Sequence, residues 1–77
     1  LGIIKPGTNI FDHKKKITAR IMADGSIKHE QTEGSIHKVA ATILGAESCN
    51  GWTYWHCDIN GRILPIDYLR QRLISKN

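Results

Sequence analysis

At 77 residues and 40% apolar content, the chain is one domain with one compact core and no room for a second. Its net charge of +4 and isoelectric point near 9.3 suit an anionic partner without demanding one. No apolar run reaches the roughly 18 residues of a transmembrane helix, and no signal peptide is visible, so no such helix is expected and nothing supports export.

The chain opens with Leu1 and no Met, so it reads as a fragment, with the question of a lost leader left open. The expected location is cytoplasmic, with Cys49 and Cys57 as reduced thiols, one or both buried.

In chain order, residues 1–16 begin with an apolar tetrad and a Pro6-Gly7 turn signal. Ile10 and Phe11 can anchor a short extended segment, and Lys14-Lys15-Lys16 is the one charge run. From Ile17 to Ala23 the residues Ile17, Ala19, Ile21 and Ala23 alternate with Thr18, Arg20 and Met22, the period of a strand with one buried face. Asp24-Gly25 supplies a tight turn and Ser26 to Glu30 the return strand. Gln31 to Gly34 is polar and turn-like. A helix then starts at Ser35 as N-cap, shows Ile36, Val39, Ala40, Ile43 and Leu44 on one face, and closes at Gly45.

The stretch Ser48 to Cys57 gathers both tryptophans, both cysteines and one of two tyrosines, in a chain only 6% aromatic. An Asn50-Gly51 turn followed by a strand from Trp52 to Asp58 puts Trp52, Tyr54 and His56 on one face and Thr53, Trp55 and Cys57 on the other. Both sets cannot face one core. One of Trp52 and Trp55 is therefore expected to be at least partly exposed, or to stand at the sheet's edge. Asn60-Gly61 turns the chain again, and Pro65 and Asp67 suit the start of a last helix with Ile66, Leu69, Leu73 and Ile74 buried. The expectation is an α+β domain in the order ββαβα: an antiparallel sheet of about three strands (the hairpin plus Trp52–Asp58) packed with two helices.

Little here serves an enzyme. No glycine loop has dinucleotide or P-loop spacing, and no carboxylate pair is placed together. Cys49, His56 and Cys57 lack the C-x₂₋₄-C knuckle of structural zinc sites, so no metal is expected. A Cys/His nucleophile pair lacks an orienting third group. Nucleic-acid binding has more to draw on: the lysine run, scattered cations including Arg20, Lys28, Lys38, Arg62, Arg70 and Arg72, a helix N-terminus at Ser35, and Asn50 beside Trp52. Helix N-termini receive phosphates, Asn can read adenine, and Trp can stack on an unpaired base. The rival is an interaction or dimerisation module in which the cations are incidental.

Four separated runs share both content and order with a known family. They are Ala23-Asp24-Gly25, Gly34-Ser35-Ile36-His37-Lys38, Cys49-Asn50-Gly51-Trp52-Thr53-Tyr54-Trp55-His56 and Ile66-Asp67-Tyr68-Leu69-Arg70. Together with Ile4-Lys5-Pro6-Gly7-Thr8 they resemble the C-terminal domain of the cell-cycle-regulated adenine DNA methyltransferases of alphaproteobacteria and, more widely, the restriction enzyme and adenine methylase-associated domain. The resemblance implies a parent enzyme, a homodimer, that moves a methyl group from S-adenosylmethionine to adenine N6 in GANTC sites. The family's Asp-Pro-Pro-Tyr motif and cofactor loop do not occur in this sequence. The chain alone is therefore expected to be inert, and S-adenosylmethionine belongs to the parent's catalytic domain. The implied role of residues 1–77 is binding of double-stranded or locally opened DNA in the nucleoid, without a membrane. Ser35, Asn50, Trp52 and Arg70 match the family's important positions, with His37 and Lys14, Lys15 and Lys16 added as DNA-binding candidates; Trp52 with Asn50 would then form the DNA-facing tip, and Trp55 and Cys57 would face the core.

Overall fold

The computed structural model of the chain describes residues 4–74, with the side chains of Leu73 and Ile74 outside that description. Its elements are β1 (Asn9–Phe11), β2 (Thr18–Ile21), β3 (Ile27–His29), β4 (Thr32–Gly34), α1 (Ile36–Leu44), α2 (Gly51–Tyr54), β5 (His56–Ile59), β6 (Arg62–Pro65) and α3 (Asp67–Ile74). The six strands form one antiparallel sheet in the order β4-β3-β2-β1-β5-β6. The α+β class and the antiparallel sheet hold. The count of about three strands does not.

The β2–β3 hairpin forms where the alternation placed it, though β2 ends at Ile21 and Ala23, expected on the buried face, is exposed. Ala19 and Ile21 are buried while Thr18 and Arg20 are exposed. Met22 N–H donates to Ser26 O at 2.8 Å, Gly25 takes φ +89°, and Asp24 Oδ1 accepts from both Ser26 N and Ser26 Oγ. This is a short loop ending in a left-handed residue, a position glycine fills without strain. Helix α1 also forms as its caps dictate. Ser35 Oγ accepts from Lys38 N at 3.0 Å, and Gly45 ends the helix in the left-handed region. Ile36, Val39 and Ala40 are buried, but Leu44, expected on that face, is 56% exposed.

Three corrections enlarge the sheet. Gln31 to Gly34, read as a turn, contains β4, which pairs with β3 through Ile27↔Gly34, Lys28↔Glu33 and His29↔Thr32. Residues 62–65 form β6, so Pro65 ends an edge strand instead of starting a helix. An edge strand tolerates proline because no ladder donor is needed there. The segment around Ile10 and Phe11 is a central strand, pairing with β2 on one side and with β5 through Phe11↔His56. The Asn60-Gly61 turn holds, with φ of +53° and +86° at its two residues, the dihedrals of a two-residue hairpin loop.

The fourth correction concerns the expected Trp52–Asp58 strand. Its first half is a helical turn, α2, and only His56–Ile59 is strand. Trp55 and Cys57 are buried as expected, whereas Thr53, assigned to the same face, is exposed. Of the expected stripe of the last helix, Ile66 is buried and Leu69 packs against the core; the Leu73 and Ile74 side chains lie outside the described residues.

Trp55, Ile10, Ile21, Ile27, Val39 and Ile66 are the largest fully buried side chains. They come from both the inner sheet face and the helices, so the helices cover one side of the sheet. Each such side chain contributes about 1.5–3 kcal/mol of transfer free energy. On the other side Asn9, Thr18, Arg20 and Lys28 face solvent.

Candidate nucleic-acid interface

Helices α1 and α2 meet backbone to backbone, and glycine makes that possible. A Cβ on Gly51 would lie 2.6 Å from the carbonyl carbon of Ile36 and 2.7 Å from its oxygen. With no side chain there, Gly51 N–H donates to His37 Nδ1 at 2.9 Å. An amide can only donate, so the neutral imidazole carries its proton on Nε2. Trp55 closes the same junction from beneath, its Nε1–H donating to Ile36 O at 3.0 Å from a fully buried ring. Tyr54 meets that ring edge-on at 4.9 Å. Burial raises the Tyr54 phenol above its ordinary value, helped by the charges of Asp12 and Cys49, so it stays protonated.

Asn50 is the N-cap of α2. Its Oδ1 accepts from Trp52 N at 3.0 Å, and its carbonyl accepts from Thr53 Oγ1 at 3.1 Å. The Asn-Gly pair thus starts a helical turn, where a turn leading into a strand was expected, and Trp52 lies on that helical turn. Trp52 is half-buried, packed against the core, and the Arg70 guanidinium lies 4.7 Å from its ring centre. Arg70 Nη2 also meets Asp67 Oδ1 at 2.6 Å, an i,i+3 ion pair within α3. That contact partners the Asp67 oxygen as an ion pair, while Arg70 Nε is buried without a hydrogen-bond acceptor among the described residues. The guanidinium is held between a carboxylate and an indole, a geometry worth about 1 kcal/mol where it is half-exposed.

Five of the eight candidates come together here. Ser35 and His37 sit on the first turn of α1, Asn50 and Trp52 on α2, and Arg70 reaches across from α3. No acidic residue stands in the first turn of α1 or α2 to neutralise the helix poles. An open groove of about 350 Å³ begins at Ser35 and His37 and continues between Lys38, Thr42, Glu47 and Cys49. Sequence reasoning did not single out Glu47. Its one signal was its position in the loop that joins the two helices.

The lysine run is elsewhere. Helix α1 leaves the sheet from the end marked by Gly34, Ile27 and Ile21, whereas Lys14, Lys15 and Lys16 lie in the β1–β2 loop beyond Phe11 and Thr18, at the other end. Asp12 Oδ1 accepts from Lys16 N at 2.7 Å and Ile17 N at 3.0 Å, which fixes that loop. The slight burial of Asp12 raises its carboxyl, but those two amides and the nearby His13 outweigh it and leave it below its ordinary value.

His56 and Cys57 occupy successive positions of β5, one half-buried and one in the core, and no group of three His, Cys, Asp or Glu is placed to hold a metal among the described residues. No described helix is long and apolar enough to cross a membrane.

Residues 1–77 match the family described as Restriction Enzyme Adenine Methylase Associated. The chain is also similar to the Type II methyltransferase M.HinfI of Haemophilus influenzae, with 30% identity over 67 residues, 87% of this chain and 19% of that protein. The chain therefore spans about a fifth of the length of that curated relative.

Proposed function

The chain belongs to the Restriction Enzyme Adenine Methylase Associated family, and from that premise we propose that it is the DNA-binding domain of an adenine-specific DNA methyltransferase. It carries no catalytic step itself. Its parent is a cytoplasmic, nucleoid-associated homodimer of the cell-cycle-regulated type, using S-adenosylmethionine to methylate adenine N6 in GANTC. This domain holds duplex or locally opened DNA for that reaction.

One observation carries the reading: Ser35, His37, Asn50, Trp52 and Arg70, spread over half the sequence, gather at one junction of three helices. The pole of α1 and the cation of Arg70 suit a backbone phosphate. The His37 Nε2–H suits a second phosphate oxygen or a base acceptor. The Trp52 ring, already under a guanidinium, offers its remaining exposed surface to a sugar or an unstacked base. Taking a base out of the stack is required for its methylation, so a surface that holds displaced nucleotides serves the parent's chemistry.

Ser35→Asp is the test. Aspartate caps a helix about as well as serine, so the fold is kept, but its charge repels a phosphate at the α1 pole. Duplex binding followed by fluorescence anisotropy should weaken about tenfold, with an unchanged or raised Tm. Wild-type affinity in the folded variant sinks the phosphate assignment. The rival, a dimerisation module, draws support from exposed Leu44 and Tyr68. It predicts self-association that persists in salt, where DNA affinity falls steeply.

A further inference from the structure

We propose a second nucleic-acid surface, on the uncovered face of the sheet, that takes single-stranded DNA. It lies on the opposite side from the helix junction and does not depend on the reading of that junction.

The residues are placed by register. Arg20 pairs with Lys28 across β2 and β3, so the two side chains leave the sheet side by side on the solvent face, with Cβ atoms roughly 5 Å apart. Phe11, two positions along from Asn9 and on the same face, is neighbour to His56 of β5. The ring therefore lies roughly 7 Å along the strands from the cation row, at about 3.3 Å per residue. His13 adds a third ring, 6.3 Å from that of His56.

One member of the lysine run, Lys15, reaches this face. Lys15 adopts φ +59° in the loop that Asp12 fixes, and this turns its ammonium back over the Phe11 ring at 4.9 Å. A half-buried aromatic ring lying under an exposed lysine ammonium is a stacking platform with a phosphate ligand beside it. An incoming base takes the ring and the ammonium moves to the phosphate that follows. Two carboxylates share this face: Glu33 stands opposite Lys28 on the edge strand β4, and Asp58 on β5 is engaged by Gly61 N at 2.8 Å.

Strand separation follows from shape. An uncovered sheet face presents a ring that only an unpaired base can stack on, the mode by which open sheets hold single strands. A duplex stacks its bases inward and could use only the cations.

The experiment uses fluorescein-labelled oligo-dT of about 15 nucleotides, within the range of one small domain, and a duplex of equal length. Anisotropy is read between 50 and 200 mM salt, the span over which such binding falls steeply. The double variant Arg20→Glu/Lys28→Glu should raise the single-strand Kd at least tenfold and lower the salt slope by about 1.4, two phosphate contacts at about 0.7 each. Phe11→Leu, folded by circular dichroism, should weaken it about fivefold by loss of one stacked base. In both variants single-strand affinity should fall clearly more than duplex affinity, which loses only the general attraction of a chain taken from +4 to 0 in the double variant, and Ser35→Asp should weaken the duplex more than the single strand. The proposal is overturned by wild-type single-strand affinity in the double variant, by equal losses on both probes, or by no binding of oligo-dT to the wild type. Tighter binding of oligo-U than oligo-dT also overturns it, as does a double variant that keeps DNA affinity and instead loses association with a methyltransferase domain. If Ser35→Asp leaves duplex binding intact, the helix-junction reading falls alone.

Discussion

Replacing Gly51 by alanine tests the junction on which the helical side depends, because two effects of opposite sign meet there. Gly51 is the first residue of α2, and its φ is not in the left-handed region. On helix propensity alone, alanine should stabilise by up to about 1 kcal/mol. The contact says otherwise. The added carbon would meet Ile36 C, O and Cγ1 at 2.6, 2.7 and 2.8 Å, and two of those atoms are backbone that cannot rotate away. Overpacking of this kind costs about 1–3 kcal/mol. Pushing α2 from α1 also stretches the Gly51–His37 and Trp55–Ile36 hydrogen bonds, each worth about 1 kcal/mol. The net expectation is a loss of about 2–3 kcal/mol, from a total of about 4–12 kcal/mol for a chain of this length. Thermal unfolding followed by tryptophan fluorescence should show Tm falling by roughly 10–20 °C. A Tm equal to or above that of the wild type would refute the close approach of the two helices.

The remaining expectations concern caps, thiols and acid. Ser35→Ala removes the acceptor for Lys38 N and should lower stability by about 1 kcal/mol in urea denaturation, with Ser35→Asp restoring it. Cys57 is buried, and burial followed by the charge of Asp58 pushes its thiol up, so Ellman's reagent should modify half-buried Cys49 first in the folded chain and Cys57 only on unfolding. The Asp12 carboxyl is held below its ordinary value of 3.8, so its contribution is present above that pH and lost as pH falls through the lower folded value. An acid titration of stability should show that loss below about pH 4 in the wild type and not in Asp12→Asn.

The parts of the fold that were legible in the sequence are those specified by local side-chain chemistry. The β2–β3 hairpin follows from alternation around Asp24-Gly25, and α1 from Ser35, Gly45 and a helical stripe. Strands β4 and β6 were not legible, because three or four residues carry too little pattern and β4 is recruited through backbone pairing. The Trp52 segment misled because Asn50-Gly51 suits both a hairpin turn and a helix N-cap, and Trp and Tyr favour strands. What decided for the helical turn was tertiary: Gly51 fits against Ile36. The candidate site was legible as residue types and not as geometry. Nothing local tells that Arg70 covers Trp52, or that Lys15 lies over Phe11 on the far face of the sheet.

The strand order carries a consequence for how the chain is made. The central strand β1 joins two hairpin-based halves, and its partner β5 lies 45 positions later, since Phe11 pairs with His56. A nascent chain emerging from the ribosome can assemble β1 to β4 with α1, but Trp55 and Ile66, two of the largest core residues, are still missing. That intermediate keeps one side of β1 unpaired until the last third of the sequence has been synthesised. Folding should therefore wait on the C-terminal segment, and truncation before β5 should yield an aggregation-prone product rather than a smaller stable domain.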